Sequence, residues 1–205
     1  MTRERIAVIK YNAGNIWSMV CALNRLGIEP DVTDDPHALY AADRVIFPGV
    51  GEASSAMRYL KQRGLDEVLR NLDQPFLGVC LGMQLMCRYS EEQDTECLGI
   101  FSEEVRRFPK GHKVPHMGWN SLYGMSSGLF SGIPEQSCLY FVHSYYVPQG
   151  DDTIAGCQYI IPFSAALGKG NRFGTQFHPE KSGRLGLLIL RNFERMVCNA
   201  TNSRC

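Results

Sequence analysis

Short apolar runs alternate with segments of helical periodicity through the first half of the chain, and this alternation limits the fold more than any other feature of the sequence. Four runs have the length of buried strands: residues 6–9, 28–33, 44–47 and 76–79. Three segments space apolar residues as a helix does: residues 15–26, 53–62 and 81–89. Strands that alternate with helices form βαβ units, so we expect a parallel sheet flanked by helices.

The second half of the chain has a different pattern. Residues 97–177 contain short apolar runs separated by frequent glycine and proline, which indicates antiparallel strands and loops. The last of these strands is predicted at residues 173–177, and residues 182–197 return to helical spacing. The predicted fold class is therefore α/β, with an open, mostly parallel sheet flanked by helices and extended by antiparallel additions. A length of 205 residues without a repeat or linker predicts a single domain over residues 1–205.

Charge and cysteine content exclude several classes of function. The chain has 21 basic and 21 acidic residues, so it lacks the positive excess with which proteins bind nucleic acids or anionic membranes. Its eight cysteines show neither a C-x-x-C pair nor the spacing of zinc ligands, which predicts reduced thiols. We expect no metal site and no cofactor. The apolar run at residues 6–9 is too short for a signal peptide, so we expect a cytoplasmic protein.

A cysteine stands at the junction of a predicted strand and a predicted helix, in the segment Gly78-Val79-Cys80-Leu81-Gly82. This is the G-x-nucleophile-x-G elbow with cysteine in place of serine. Glycines on either side permit the tight turn, and the N-terminus of the following helix favours a thiolate. A buried structural cysteine is the alternative interpretation. The elbow favours Cys80 as the nucleophile of a covalent reaction.

The best candidate for the base is the histidine of His178-Pro179-Glu180, which follows the predicted strand at residues 173–177. Proline biases the residue before it toward extended backbone, and residues two apart in extended chain point to the same side. A carboxylate at Glu180 can therefore face the imidazole of His178 and fix its tautomer, as the third member of a catalytic triad does. The alternative is a hydrogen-bonded structural histidine.

Acyl transfer also needs hydrogen-bond donors for an oxyanion. The N–H of the residue after an elbow nucleophile usually supplies one, so Leu81 is the first predicted donor. The loop Pro48-Gly49-Val50-Gly51 follows the third predicted strand, where Val50 can supply the second. By itself, P-G-x-G is more often an ordinary turn.

These three motifs resemble those of the class I glutamine amidotransferases, whose glutaminase domains carry P-G-x-G, G-x-C-x-G-x-Q and H-P-E in this order. The resemblance implies hydrolysis of L-glutamine to glutamate and ammonia through a thioester on Cys80. Gln84, one helical turn beyond Cys80, and the H-S-Y segment at residues 143–145 also match the family. The resemblance implies glutamine contacts from Gly49, Gly51, Gln84, Ser144 and Tyr145.

The string P-H-M-G-W-N at residues 115–120 is similar to one in a narrower group, the glutaminase subunits of imidazole glycerol phosphate synthases. Residues 11–15 and 178–182 are similar to the same group. The resemblance implies a heterodimer with a (β/α)8-barrel cyclase, to which the chain delivers ammonia for histidine biosynthesis. It implies these interface residues: Asn15, His116, Met117, Trp119, Asn120 and Lys181. Lys10 departs from the pattern, because many relatives carry an acidic residue there.

Other functions remain open at this point. The chain can be the glutaminase subunit of another synthase, for anthranilate or aminodeoxychorismate, although the P-H-M-G-W-N string argues against this. A cysteine peptidase would explain the triad but not Gln84 or the H-S-Y segment. A non-catalytic regulatory subunit would need none of the triad residues. For a glutaminase subunit we expect low activity in the isolated chain, since ammonia released without a partner is wasted.

Overall fold

The computed structural model describes residues 4–12 and 15–196, which form an α/β fold. The strands are β1 Ile6–Ile9, β2 Asp31–Thr33, β3 Arg44–Phe47, β4 Phe76–Val79, β5 Tyr89–Ser90, β6 Thr95–Glu96, β7 Glu104–Arg107, β8 His116–Tyr123, β9 Cys138–His143, β10 Tyr145–Tyr146, β11 Thr153–Gln158, β12 Pro162–Lys169 and β13 Arg172–Thr175. The helices are α1 Ile16–Arg25, α2 Pro36–Ala41, α3 Ala53–Gln62, α4 Leu65–Arg70, α5 Leu81–Met86 and α6 Gly183–Glu194, with short 3-10 turns at Gly128–Phe130 and Pro179–Lys181. Among the described helices, none has the length and apolar character to cross a membrane.

Nine strands form the main sheet, in the order β2-β1-β3-β4-β13-β12-β11-β8-β9. The first five are parallel to one another, and each later pair is antiparallel. This arrangement confirms the predicted fold class of a parallel α/β sheet with antiparallel additions. β4 and β13 are parallel neighbours, with Val79 opposite Thr175. The segments that follow them, which carry Cys80 and His178, therefore leave the sheet at the same edge.

A smaller sheet, in the order β10-β7-β5-β6, lies outside the main one. Its strand β10 begins at Tyr145 and pairs with β7 in antiparallel register. The Ser144–Tyr145 segment is thus tied on one side to β9 of the main sheet and on the other to this second sheet. These ties matter because the segment borders the site described below.

Alternate residues of the parallel strands enter two separate hydrophobic clusters. Ile6 and Val8 of β1 belong to one cluster, with apolar residues of α1 and α6. Ala7 and Ile9 belong to the other, with apolar residues of α3, α4 and α5. Successive side chains of a strand point to opposite faces, so a strand buried on both faces must be apolar throughout. This explains the uninterrupted apolar runs in the first half of the sequence.

Most predicted elements are confirmed, with differences at their ends. β1, β3, β4 and α3 have the predicted bounds, whereas α1 and α6 are shorter and β2 begins three residues later than predicted. Short helices α2 and α4 were not predicted. The end of the last predicted helix at residue 197 and residues 13 and 14 of the 11–15 string lie outside the described residues.

The helix predicted at residues 81–89 is wrong at its end, because α5 stops at Met86. The N–H groups of Leu98 and Ile100 donate to the carbonyls of Leu85 and Met86. A returning segment therefore binds carbonyls that a longer helix would use internally. Cys87 is extended, and the chain continues into β5.

Candidate active site

Cys80 occupies a strained turn between β4 and α5. Its φ of 53° and ψ of −107° lie outside the common regions for a residue with a side chain. Its N–H donates to Thr175 O at 2.7 Å, which ties the turn to β13. A Cβ at Gly82 would lie 1.9 Å from Phe47 O, and one at Gly78 would lie 2.7 Å from Met83 N. The elbow thus needs both glycines because backbone approaches closely at each.

His178 is held at the neighbouring strand end by its backbone. Its N–H donates to Tyr140 O of β9 at 2.9 Å. The hydroxyl of Ser182 donates to His178 O at 2.6 Å and accepts from Tyr140 N at 3.0 Å. These bonds fix the direction in which the imidazole leaves the chain.

The structure brings Cys80, His178 and Glu180 together. His178 Nδ1 lies 2.8 Å from Glu180 Oε1, and Asn15 Nδ2 donates to the same oxygen at 3.1 Å. The His178 and Glu180 side chains are only 1% and 3% exposed. Because an ionised carboxylate can only accept, Nδ1 must donate, and Nε2 is left to exchange a proton with Cys80. Nε2 is buried and makes no hydrogen bond to the described part of the chain.

Electrostatics favour the charged form of this histidine. Burial by itself lowers the pKa of His178, but the Cys80 sulfur and the Glu180 carboxylate outweigh burial and raise the pKa above its usual 6.5. An imidazolium next to a sulfur stabilises the thiolate, which is the nucleophilic form. The arrangement can therefore attack an acyl carbon and protonate a leaving group.

The sulfur of Cys80 has two further neighbours. As a thiol it donates to Val142 O at 3.8 Å, and Gln176 Nε2 lies 3.7 Å from it. The sequence reasoning missed Gln176. The signal was present, because Gln176 precedes His178 by two positions and extended backbone directs such residues to one side.

The loop after β3 does not present both predicted oxyanion donors. The N–H of Leu81 donates to Gly49 O at 3.3 Å, so a carbonyl occupies the position that an oxyanion would take. The C=O and N–H of a trans peptide point in opposite directions, so the N–H of Val50 is directed away. Tyr11 OH donates to Pro48 O at 2.8 Å and anchors the loop before the peptide that would have to turn.

A cavity of about 350 Å³ opens beside Cys80. Val50, Gly51 and Leu81 line one part of it, and the Ser144–Tyr145 segment lines another. Gly49 is not among the residues that line it, and a Cβ at this position would lie 2.3 Å from the Tyr11 hydroxyl. The volume is suited to a small polar molecule.

Gln84 lines this cavity but is also bound within the protein. Its Nε2 donates to Tyr145 O at 3.0 Å and to Gln176 Oε1 at 2.9 Å. An amide nitrogen has two donors, and both are used here. Only the carbonyl oxygen of Gln84 is left for a ligand. Through its two donated hydrogen bonds Gln84 also positions Tyr145 and Gln176.

Glu92 also lines the cavity, and no sequence motif indicated it. It is the one carboxylate among the described lining residues. Its Oε2 accepts from Ala53 N at 2.8 Å, which fixes it at the start of α3. Burial raises the pKa of Glu92 from its usual 4.5. A cationic group of a ligand in the cavity could form an ion pair with the Glu92 carboxylate.

The residues predicted to face a partner protein divide into two groups on β8. Met117 and Trp119 are 62% and 57% exposed, which is unusual for large apolar side chains. His116 points inward and is only 3% exposed. Asn120 is partly buried, and its Nδ2 donates to Gln158 O at 2.8 Å.

His116 forms a buried link between β8 and the cavity. Its Nδ1 lies 2.9 Å from His143 Nε2, and His143 Nδ1 lies 2.7 Å from Tyr145 O. Burial lowers the pKa of His116 to about 4 and that of His143 to about 3, so both are neutral near pH 7. Of the other predicted interface residues, Lys181 is exposed and Asn15 contacts Glu180. Lys10 is exposed at the end of β1, outside the residues that line the cavity.

Comparison with known proteins finds relatives over nearly the whole chain. The family model for glutamine amidotransferase class-I matches residues 7–196. The chain is 58% identical over 192 residues to imidazole glycerol phosphate synthase subunit HisH of Bacteroides thetaiotaomicron, covering 92% of this chain and 98% of that one. It is 46% identical over 205 residues to the subunit HisH of Moorella thermoacetica, covering 97% and 98%.

Solved structures with low sequence identity share the fold. PurLQS from Thermotoga maritima matches with a TM-score of 0.71 and 18% identity, covering 94% of this chain and 98% of that one. A structure described as glutamine amidotransferase matches with a TM-score of 0.69 and 18% identity, covering 92% and 98%.

Proposed function

The chain belongs to the class I glutamine amidotransferases, and from this premise we propose that it is the glutaminase subunit of an imidazole glycerol phosphate synthase. The observation that carries the proposal is the extent of similarity: subunits of that name are up to 58% identical over 92% of the chain. The hydrogen-bonded pair His178–Glu180 beside Cys80 supports the chemistry. The chain hydrolyses L-glutamine to glutamate and ammonia for histidine biosynthesis.

In the proposed mechanism, the Cys80 thiolate attacks the side-chain amide carbon of glutamine. His178 protonates the departing nitrogen, so ammonia leaves and a glutamyl thioester remains. Water then gives a proton to His178 and attacks the thioester, which releases glutamate and restores the thiolate. Glu180 stabilises the imidazolium of His178 in each half of the reaction.

Free glutamine carries an α-ammonium group, and Glu92 is suited to bind it. The carboxylate of Glu92 lies in the cavity that contains Cys80, and one of its oxygens is already fixed by Ala53 N–H. A charge-assisted hydrogen bond would orient the substrate along the cavity. The backbone of Ser144 and Tyr145, and the loop of Gly49 and Gly51, would surround the rest of the substrate.

The partner in this proposal is a (β/α)8-barrel cyclase, and it acts on the loop at Gly49. A half-turn of the Gly49–Val50 peptide would release Leu81 N–H from Gly49 O and turn Val50 N–H toward the oxyanion. Glycine at position 49 makes this rotation easier. In the absence of the partner the oxyanion is poorly stabilised, so the isolated chain hydrolyses glutamine slowly. Asn15, Met117, Trp119, Asn120 and Lys181 are the proposed contacts, with His116 behind them.

The test combines the chain with a cyclase partner and supplies either glutamine or ammonium salts. We expect product with both nitrogen sources for the wild type. Cys80→Ala should lose glutamine-dependent product while it keeps ammonia-dependent product, because ammonia bypasses the thioester. Synthesis that depends on an anthranilate or aminodeoxychorismate synthase partner instead of the cyclase would contradict the proposal, as would glutamine use by Cys80→Ala.

A further inference from the structure

We propose that Gln176 is a catalytic hydrogen-bond donor that stabilises the Cys80 thiolate, and that Gln84 holds its amide in the required orientation. The inference deepens the proposed glutaminase function and rests on it. Its basis is a series of three contacts that begins at the backbone carbonyl of Tyr145 and ends at the sulfur of Cys80.

The orientation of each amide in this series follows from the group before it. Tyr145 O can only accept a hydrogen bond, so the NH2 end of Gln84 must face it, at 3.0 Å. The second N–H of Gln84 donates to Gln176 Oε1 at 2.9 Å. The NH2 end of Gln176 must then point the other way, and it lies 3.7 Å from Cys80 Sγ. A flipped Gln176 would place its oxygen against the sulfur and its NH2 group against the NH2 group of Gln84.

The burial of Gln176 indicates that its amide does more than fill space. Its side chain is fully buried, with no exposed surface. An amide in such a place costs free energy unless its groups are hydrogen-bonded, and an apolar side chain of similar size would fill the space without that cost. The polar group is therefore satisfied by what it contacts, which is the sulfur on one side and Gln84 on the other.

The charges around the sulfur show what the donor adds. His178 carries the positive charge. The titratable neighbours among the described residues include the carboxylates of Glu180 and Glu92, the hydroxyls of Tyr11 and Tyr145, and the neutral His143. Val142 O lies 3.8 Å from the sulfur and disfavours a negative charge there. The N–H of Gln176 opposes that carbonyl.

Unlike His178, Gln176 has no proton to lose during the reaction. When His178 gives its proton to the departing ammonia, the sulfur has become a neutral thioester and needs the donor less. When the thioester is hydrolysed, the thiolate returns and needs it again. The contribution of Gln176 therefore falls on the free enzyme and on the deacylation step, in which the thiolate forms again.

The test measures the pH at which Cys80 becomes reactive, in the full chain and without glutamine. Iodoacetamide alkylates the thiolate and not the thiol, and mass spectrometry of the peptide that contains Cys80 separates it from the other cysteines. Gln176→Met removes the donor and keeps an unbranched side chain, and Gln176→Glu keeps the shape but adds a negative charge. We expect the pH midpoint of alkylation to rise by about one unit in Gln176→Met and further in Gln176→Glu.

Gln62→Glu is the matched control, because Gln62 is exposed at the end of α3. Its alkylation midpoint should equal that of the wild type. Thermal unfolding shows whether each variant is folded, and Gln176→Glu serves if Gln176→Met does not fold. Midpoints that stay at the wild-type value in folded Gln176 variants would overturn the inference.

Glutamine hydrolysis by the complex with the cyclase gives the second measurement. We expect kcat/KM for glutamine to fall about tenfold in Gln176→Met, while ammonia-dependent synthesis is unchanged. A wild-type complex that fails to hydrolyse glutamine would contradict the proposed function. Unshifted alkylation midpoints in an active enzyme would instead contradict only the role of Gln176.

Discussion

Single residues of the active site are explained by what lies within a few ångströms of them. Gly78 and Gly82 are required because neighbouring backbone leaves no room for a Cβ, and Gly49 is required because the hydroxyl of Tyr11 lies against it. His178 is useful as a base because Glu180 fixes its tautomer. In each case a steric or hydrogen-bonding constraint decides the residue type.

Glu92 leads to a prediction about substrate binding. Removal of its charge in Glu92→Gln should raise KM for glutamine by about 10- to 100-fold, because a hydrogen bond to a charged group is lost. The α-ammonium is remote from the reacting carbon, so kcat should change much less. Steady-state kinetics of the complex with the cyclase give both values. Glu96→Gln is the control, since the side chain of Glu96 is 83% exposed, and equal KM values in the two variants would contradict the role of Glu92.

Among the secondary-structure elements, the antiparallel pair β8–β9 connects the exposed face to the cavity. Met117 and Trp119 point outward from β8, whereas His116 points inward to His143 of β9. His143 in turn contacts the carbonyl of Tyr145, at the border of the cavity. The period of two along a strand thus places an exposed apolar pair and a buried polar link on opposite faces of one element.

This buried pair predicts how stability depends on pH. The pKa values of His116 and His143 are about 4 and about 3 in the folded chain, against 6.5 in the unfolded chain. Protons therefore bind the unfolded chain more tightly, and the pair's contribution to stability is complete above pH 6.5 and is lost as pH falls toward 3. Urea unfolding between pH 7 and pH 4 should show a weaker loss of stability in His116→Gln than in the wild type.

His112 provides the control for this measurement, because it is exposed. His112→Gln should keep the wild-type loss of stability toward acidic pH. The other titrating groups are common to all three proteins, so the difference between them isolates the buried histidine. If His116→Gln and His112→Gln lost stability in parallel, the buried pair would not be the source of the effect.

For the whole molecule, the sheet order separates two exposed aromatic residues. Trp119 lies on β8, next to the edge strand β9, and Tyr40 lies on α2, which contacts β1 near the opposite edge of the sheet. In the proposed complex the cyclase contacts Trp119, whereas Tyr40 is outside the proposed contacts.

Trp119→Ala should therefore weaken activation by the partner. Loss of a large apolar contact at the centre of an interface typically weakens affinity by about 10- to 30-fold or more. Titration of glutamine hydrolysis against cyclase concentration should show a midpoint shifted to higher concentration. Tyr40→Ala, which removes an aromatic side chain that is 51% exposed, should give the wild-type curve. Identical titrations for the two variants would remove Trp119 from the interface.

The sequence by itself determined the strands of the parallel half, the elbow at Cys80 and the pairing of His178 with Glu180. These features are local: apolar runs of strand length, glycines around a turn and a spacing of two in extended chain all act within a few residues. The motif loops at residues 48–51 and 78–82 were also predictable, because parallel strands end at one edge of their sheet. The predicted single domain stays a prediction.

Only the tertiary structure decided the remaining parts of the site. Glu92 reaches the cavity because α3 binds it, and Gln176 meets the sulfur because β13 lies beside β4. The end of α5 depends in the same way on a segment that is distant in sequence. The contact of Gly49 O with Leu81 N–H depends on the orientation of a single peptide. Hydrogen bonds between such segments form only when the chain is folded, so no local pattern of residues can specify them.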